Sequence, residues 1–110
     1  MSIVVNIYYK GINGNAIKFM QEMEEKGIAD LIRKEEGNER YEYFISASDK
    51  ETVLLIDIWK DQKSIDIHHS TPMMKQISEL REKYDLHMTV ERFIQDDTGI
   101  PEYDKSFIKK

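Results

Sequence analysis

Residues 53–75, VLLIDIWKDQKSIDIHHSTPMMK, decide the fold. The first seven, 53–59, are aliphatic, β-branched or aromatic apart from Asp57. That length and composition suit a buried strand. Leu55, Asp57 and Trp59 share one face of it, and Leu54, Ile56 and Ile58 the other. Both faces are therefore largely apolar. Asp61 can cap the helix that follows, because its carboxylate accepts a bond from an unpaired N–H of the first turn. Thr71-Pro72 ends that helix and opens another, since proline disfavours the α conformation before it and suits the first helical position. Trp59, His68 and the Thr71-Pro72 corner are predicted to meet at one end of the strand, where a pocket can lie.

Outward from this stretch, residues 3–9 (IVVNIYY) and 41–46 (YEYFIS) read as strands, and 86–94 (LHMTVERFI) as the last strand. In the second, Tyr41, Tyr43 and Ile45 share one face. Residues 11–15 form a turn, with Asn13 or Asn15 able to cap the next helix. That helix is predicted from Ala16 to about Glu36. Its apolar stripe is Ala16, Met20, Met23, Gly27 and Leu31, widened by Ile17, Ile28 and Ile32. Gly37 is expected as a left-handed stop. Met73, Ile77, Leu80 and Tyr84 mark a later helix. The domain is predicted over residues 1–95, with 96–110 a C-terminal extension. The extension's Ile100, Tyr103, Phe107 and Ile108 are expected to pack against something.

The order strand, helix, strand, strand, helix pair, strand is the α+β, ferredoxin-like βαββαβ pattern. Helices cover one sheet face. Leu54, Ile56 and Ile58 then lack a cover, at about 1.5–3 kcal/mol each. A two-fold homodimer packing sheet on sheet is the simplest closed solution.

At 110 residues the chain is one domain. A net charge of −5 argues against nucleic acid or an anionic membrane as partner. No run of apolar residues is long enough to span a bilayer, and the N-terminal MSIVVNIYYKG has no signal-peptide pattern, so a cytoplasmic location is expected. Zero cysteines exclude disulfides, thiolate metal sites and a cysteine nucleophile. The three histidines form no HxxxH pair, so no metal site is predicted. No glycine-rich phosphate loop is present either.

Asp57-x-Trp59, His68 nine residues on and Thr71-Pro72 just after resemble the antibiotic biosynthesis monooxygenase family. The likeness extends to Lys34-Glu35-Glu36-Gly37 with Tyr41, and to Val4-Val5-Asn6 with Lys10-Gly11, over about residues 3–94. It implies a homodimeric α/β barrel. It also implies cofactor-independent oxidation of a small aromatic substrate, quinol or polyketide-like, with O2 as co-substrate. On that reading His68, rather than His69, is the proton acceptor, and Asn6 and Trp59 are donors and positioning groups. Tyr8, Tyr43, Asp57 and Thr71 are the substrate-binding candidates, the tyrosines by strand-face parity. Haem-degrading members have Trp where this chain has His68, and an iron-ligating His that falls here on Ser78, so the resemblance argues against haem. Each residue also has a plainer reading: Trp59 as core, Asp57 in a structural ion pair or hydrogen bond, His68 as a satisfied bridge, Asn6 near a solvated edge. The rival functions are an isomerase or other proton-transfer enzyme on a small signalling metabolite, and a non-catalytic dimer that binds a small ligand.

Overall fold

The alternation read in the central strand carries into three dimensions. In the computed structural model, which describes residues 1–110, β3 (Thr52–Trp59) buries Val53, Leu55, Asp57 and Trp59. Leu54, Ile56 and Ile58 lie half-buried on its other face. β1 (Ile3–Lys10), β2 (Asn38–Ile45) and β4 (His87–Ile94) complete an antiparallel sheet of order β2-β3-β1-β4. Four helices cover one face: α1 (Asn15–Glu25), α2 (Ile28–Arg33), α3 (Gln62–His69) and α4 (Met73–Lys83). A short α5 (Glu102–Lys105) lies in the tail. This is the expected α+β, ferredoxin-like arrangement. The core sits between helices and sheet, around Trp59, Phe19, Met23, Ile32, Leu55 and Val53. No helix is long and apolar enough to cross a membrane.

The predicted helix from Ala16 to Glu36 is two helices. The break is Gly27, at φ 76°, a conformation that costs a residue with a Cβ but not glycine. The break turns the apolar stripe. Leu31, predicted inside it, is 52% exposed, while Phe19 and Ala29 are fully buried. Neither Asn13 nor Asn15 caps α1: the cap position is Gly14, whose N–H donates to the Glu51 carboxylate at 2.8 Å. Asn15 instead donates through Nδ2 to the Tyr84 carbonyl at 3.1 Å, tying α1 to the end of α4.

Gly37 is not left-handed, contrary to expectation. What it supplies is space. A Cβ there would fall 2.0 Å from Ser64 Oγ, on the first turn of α3. Asp61 caps α3 as predicted, its Oδ1 accepting from Ser64 N at 2.8 Å and Ser64 Oγ at 2.7 Å. Pro72 adopts helical φ and leads into α4. The solvated-edge reading of Asn6 fails, because β1 is an interior strand between β3 and β4. The tail's Ile100, Tyr103, Phe107 and Ile108 are exposed, so the packing expected of them is not made within this chain.

Candidate active site

A cavity of about 240 Å³ lies between the covered face of the sheet and helices α3 and α4. Its floor is set by strand register. Val5 stands between Asp57 and Arg92, Ile7 between Leu55 and Val90, and Tyr9 next to Met88. Ile65, His68 and His69 from α3, and Met74, Ile77 and Arg81 from α4, form the roof. Eleven of the sixteen lining residues are hydrophobic; the β3 and α3 side is buried at Leu55, Asp57, Trp59, Ile65 and His68, while Met88, Val90 and Arg92 on β4 are exposed. The volume lies below the roughly 300 Å³ at which drug-sized ligand sites begin, which suits a compact substrate.

His68 is buried, and its Nδ1 lies 2.7 Å from Oε2 of Glu35. Local sequence explains the meeting. Gly37 lets the α2–β2 corner close on Ser64, and Ser64 and His68 are one turn apart on the same face of α3. Glu35, two residues before Gly37, is thereby delivered to the ring. With Nδ1–H donated to the carboxylate, Nε2 is the nitrogen left free to accept a proton. The His68 ring also packs on Trp59 with centroids 4.8 Å apart.

Asp57 is the buried acid of the site. Burial raises its carboxyl pKa to about 6, opposed by the Trp59 indole, by His68 and by Asn38. Asn38 Nδ2 donates to Asp57 Oδ1 at 3.1 Å. A β-bulge between Asn38 and Arg40 makes this possible. It sets Asn38, not Glu39, opposite Trp59 on the covered face, and so puts a neutral amide beside Asp57 where unbroken alternation would put a carboxylate. Burial also raises the hydroxyl pKa values of Tyr9, Tyr41 and Tyr43, so all three remain protonated donors; Arg81 opposes the shift at Tyr9.

Of the predicted residues, His68, Trp59 and Asp57 line the cavity together. Thr71 does not: its Oγ1 donates to the His68 carbonyl at 2.8 Å and closes the end of α3. Tyr43 stands behind Tyr41, with their hydroxyls 2.9 Å apart. Asn6 and Tyr8 lie on the opposite face of the sheet, paired with Ile56 and Leu54. The fold does not bring them to His68. Sequence reasoning did not single out Tyr9, Arg81 or Arg92 as lining residues. Each had a signal: Tyr9 alternates with Ile3, Val5 and Ile7, Arg92 with Met88 and Val90, and Arg81 follows Ile77 by one helical turn. No cluster of three or more His, Asp or Glu side chains is placed to hold a metal ion.

The model of the antibiotic biosynthesis monooxygenase family matches residues 2–80, more than half the chain and all of the cavity lining except Arg81, Met88, Val90 and Arg92. The chain belongs to that family. Solved structures share its fold at low identity. SnoaB, a cofactor-independent oxygenase from Streptomyces nogalater, is 12% identical with a TM-score of 0.74, over 92% of this chain and 98% of that one. A conserved protein from Methanosarcina mazei Go1 is 22% identical with a TM-score of 0.73, over 87% and 94%. PA3566 from Pseudomonas aeruginosa is 17% identical with a TM-score of 0.73, over 86% and 93%. No curated protein matches the chain. As a member of the antibiotic biosynthesis monooxygenase family, the protein carries its His68–Trp59–Asp57 cluster on the covered side of the sheet, with Glu35 behind it.

Proposed function

We propose that this protein is a cofactor-independent monooxygenase that oxidises a small aromatic substrate, a hydroquinone or polyketide-derived phenol, with O2. The observation that carries the reading is the pairing of buried His68 with half-buried Glu35 at 2.7 Å, bordering an apolar cavity walled by Trp59. A base oriented by a carboxylate, with one free nitrogen, is equipped to take a phenolic proton. The anion left behind is electron-rich enough to reduce O2 directly. One oxygen atom enters the ring, the other leaves as water, and the substrate supplies all the electrons. The Tyr9 hydroxyl, held protonated, donates to the oxyanion. Trp59 is the wall on which the flat ring rests, and Asp57 favours the imidazolium that forms at His68.

We assign the working unit to a homodimer that packs the open sheet faces together, and its location to the cytoplasm. Leu54, Ile56 and Ile58 have no cover within the chain, and Phe44 and Phe93 on the same face are 36% and 50% exposed. Asn6 Oδ1, on that face, is buried and has no hydrogen-bond partner, so an interface donor is owed to it. Asn6 and Tyr8 accordingly belong to the interface in this reading.

Oxygen uptake by purified, metal-free protein against hydroquinones and polycyclic phenols tests the proposal. His68→Ala is expected to lower turnover by about 10²–10⁴-fold while sedimentation stays that of the wild type. Full activity in that variant would remove the base. No uptake with any substrate, alongside ligand-induced thermal stabilisation, would favour a proton-transfer or binding role.

A further inference from the structure

The four arginines of the chain divide into two kinds. Arg33 and Arg40 lie on outer surfaces and are paired with acids: Arg33 with Glu24 at 2.7 Å and Asp30 at 2.8 Å, Arg40 with Glu42 at 3.0 Å. Arg81 and Arg92 line the active-site cavity, and neither has a carboxylate within ion-pair distance. Arg92 Nη2 donates to Gln62 Oε1 at 2.6 Å, and Arg81 Nη1 rests against the Met88 sulfur at 2.6 Å. A guanidinium carries five N–H donors, so most of this capacity is unspent.

Scarcity of acid does not explain it. The chain has 21 acidic residues against 16 basic ones, and still leaves unpaired the two arginines that border the cavity. Arg81 is half-buried among apolar side chains, where an ion pair is strengthened, while Arg92, on β4, is exposed at the cavity's rim. Along the sheet, Arg92 and Asp57 sit on either side of Val5, two strand spacings or about 10 Å apart. The cavity lining thus carries two guanidinium groups without an acid partner, Arg81 against Met88 and Arg92 across Val5 from Asp57.

We infer that the substrate is an aromatic acid whose carboxylate docks on Arg81 and Arg92 while its phenolic end meets His68. The inference rests on the reading that the aromatic substrate occupies this cavity, and it is independent of the oxygen chemistry. The planar guanidinium fork matches a carboxylate through parallel N–H donors. The anchor fixes which ring position faces His68, so it sets regiochemistry as well as affinity.

The test is binding without turnover. A hydroxynaphthoic acid and its primary amide, equal in size and differing in one charge, are titrated into the wild type by calorimetry under anaerobic conditions. The acid is expected to bind at least about tenfold tighter. Arg81→Met with Arg92→Met abolishes that preference, and Arg81→Lys with Arg92→Lys retains part of it, which separates lost charge from damaged fold. Equal affinity for acid and amide overturns the inference, as does failure of the acid to bind. An acid preference that follows the arginines in a protein showing no oxygen uptake would sink the monooxygenase reading and leave this one standing.

Discussion

Asp57→Asn is expected to stabilise the fold at neutral pH, with a gain that vanishes in acid. Asp57 is 6% exposed, and burial pushes its carboxyl up to about 6. In the unfolded chain it titrates near 3.9. Between about pH 4 and pH 6 the folded state therefore holds a proton that the unfolded state has released, and stability falls as pH rises through that window. At about 1.4 kcal/mol per pH unit, holding the carboxylate charged at neutral pH costs on the order of 3 kcal/mol. Asparagine keeps an oxygen to accept Asn38 Nδ2, now 3.1 Å from Oδ1, and does not ionise. The value of about 6 already includes the pull of the Asn38 bond on the carboxylate, so nothing further is subtracted for it. The expectation is therefore a gain of about 3 kcal/mol at about pH 7 and close to none at about pH 4. Urea unfolding of both proteins at one fixed concentration across that range measures it. A gain independent of pH would show that burial of charge is not its source. A loss at neutral pH would mean that His68 holds Asp57 as an ion pair, so that the neighbours outweigh desolvation.

Three further outcomes follow from the same geometry. Glu35→Gln keeps a hydrogen-bond acceptor for Nδ1 but removes the carboxylate, so kcat should drop at least about tenfold with KM little changed; an unaltered kcat in steady-state kinetics would leave Glu35 a purely structural contact. Gly37→Ala drives a methyl into Ser64 and should lower stability by about 1–3 kcal/mol, and adding Ser64→Gly should recover most of the urea midpoint, whereas a neutral single variant would contradict the close approach. Removal of residues 96–110 strips exposed Tyr103 and Phe107 and is expected to weaken the dimer; sedimentation unchanged at micromolar concentration would show that the tail contributes nothing to it.

What the sequence determined by itself was local. The alternation of residues 53–59, the Asp61 cap and the Thr71-Pro72 corner each act over a few residues, and each is present in the structure. Together they fix the element order, and with it the ferredoxin-like sheet, because few topologies accommodate that order. Trp59, Asp57 and His68 were legible for the same reason: strand parity and one short helix separate them. What the sequence left undecided depends on which surfaces meet. Residues 3–9 are apolar on both faces, so parity could not say whether Tyr8 or Tyr9 looks into the cavity; the register of β1 against β3 chose Tyr9. The apolar stripe runs unbroken through Gly27, and only the backbone turn there shows that α1 and α2 are separate. Glu35 and His68 are 33 residues apart, and no pattern within either segment announces their contact. Arg81 and Arg92 read as ordinary surface charges until α4 and β4 set them on the lining of the cavity. Periodicity specifies an element and its faces, whereas register, a bulge and one close approach between helices decide which side chains share a site.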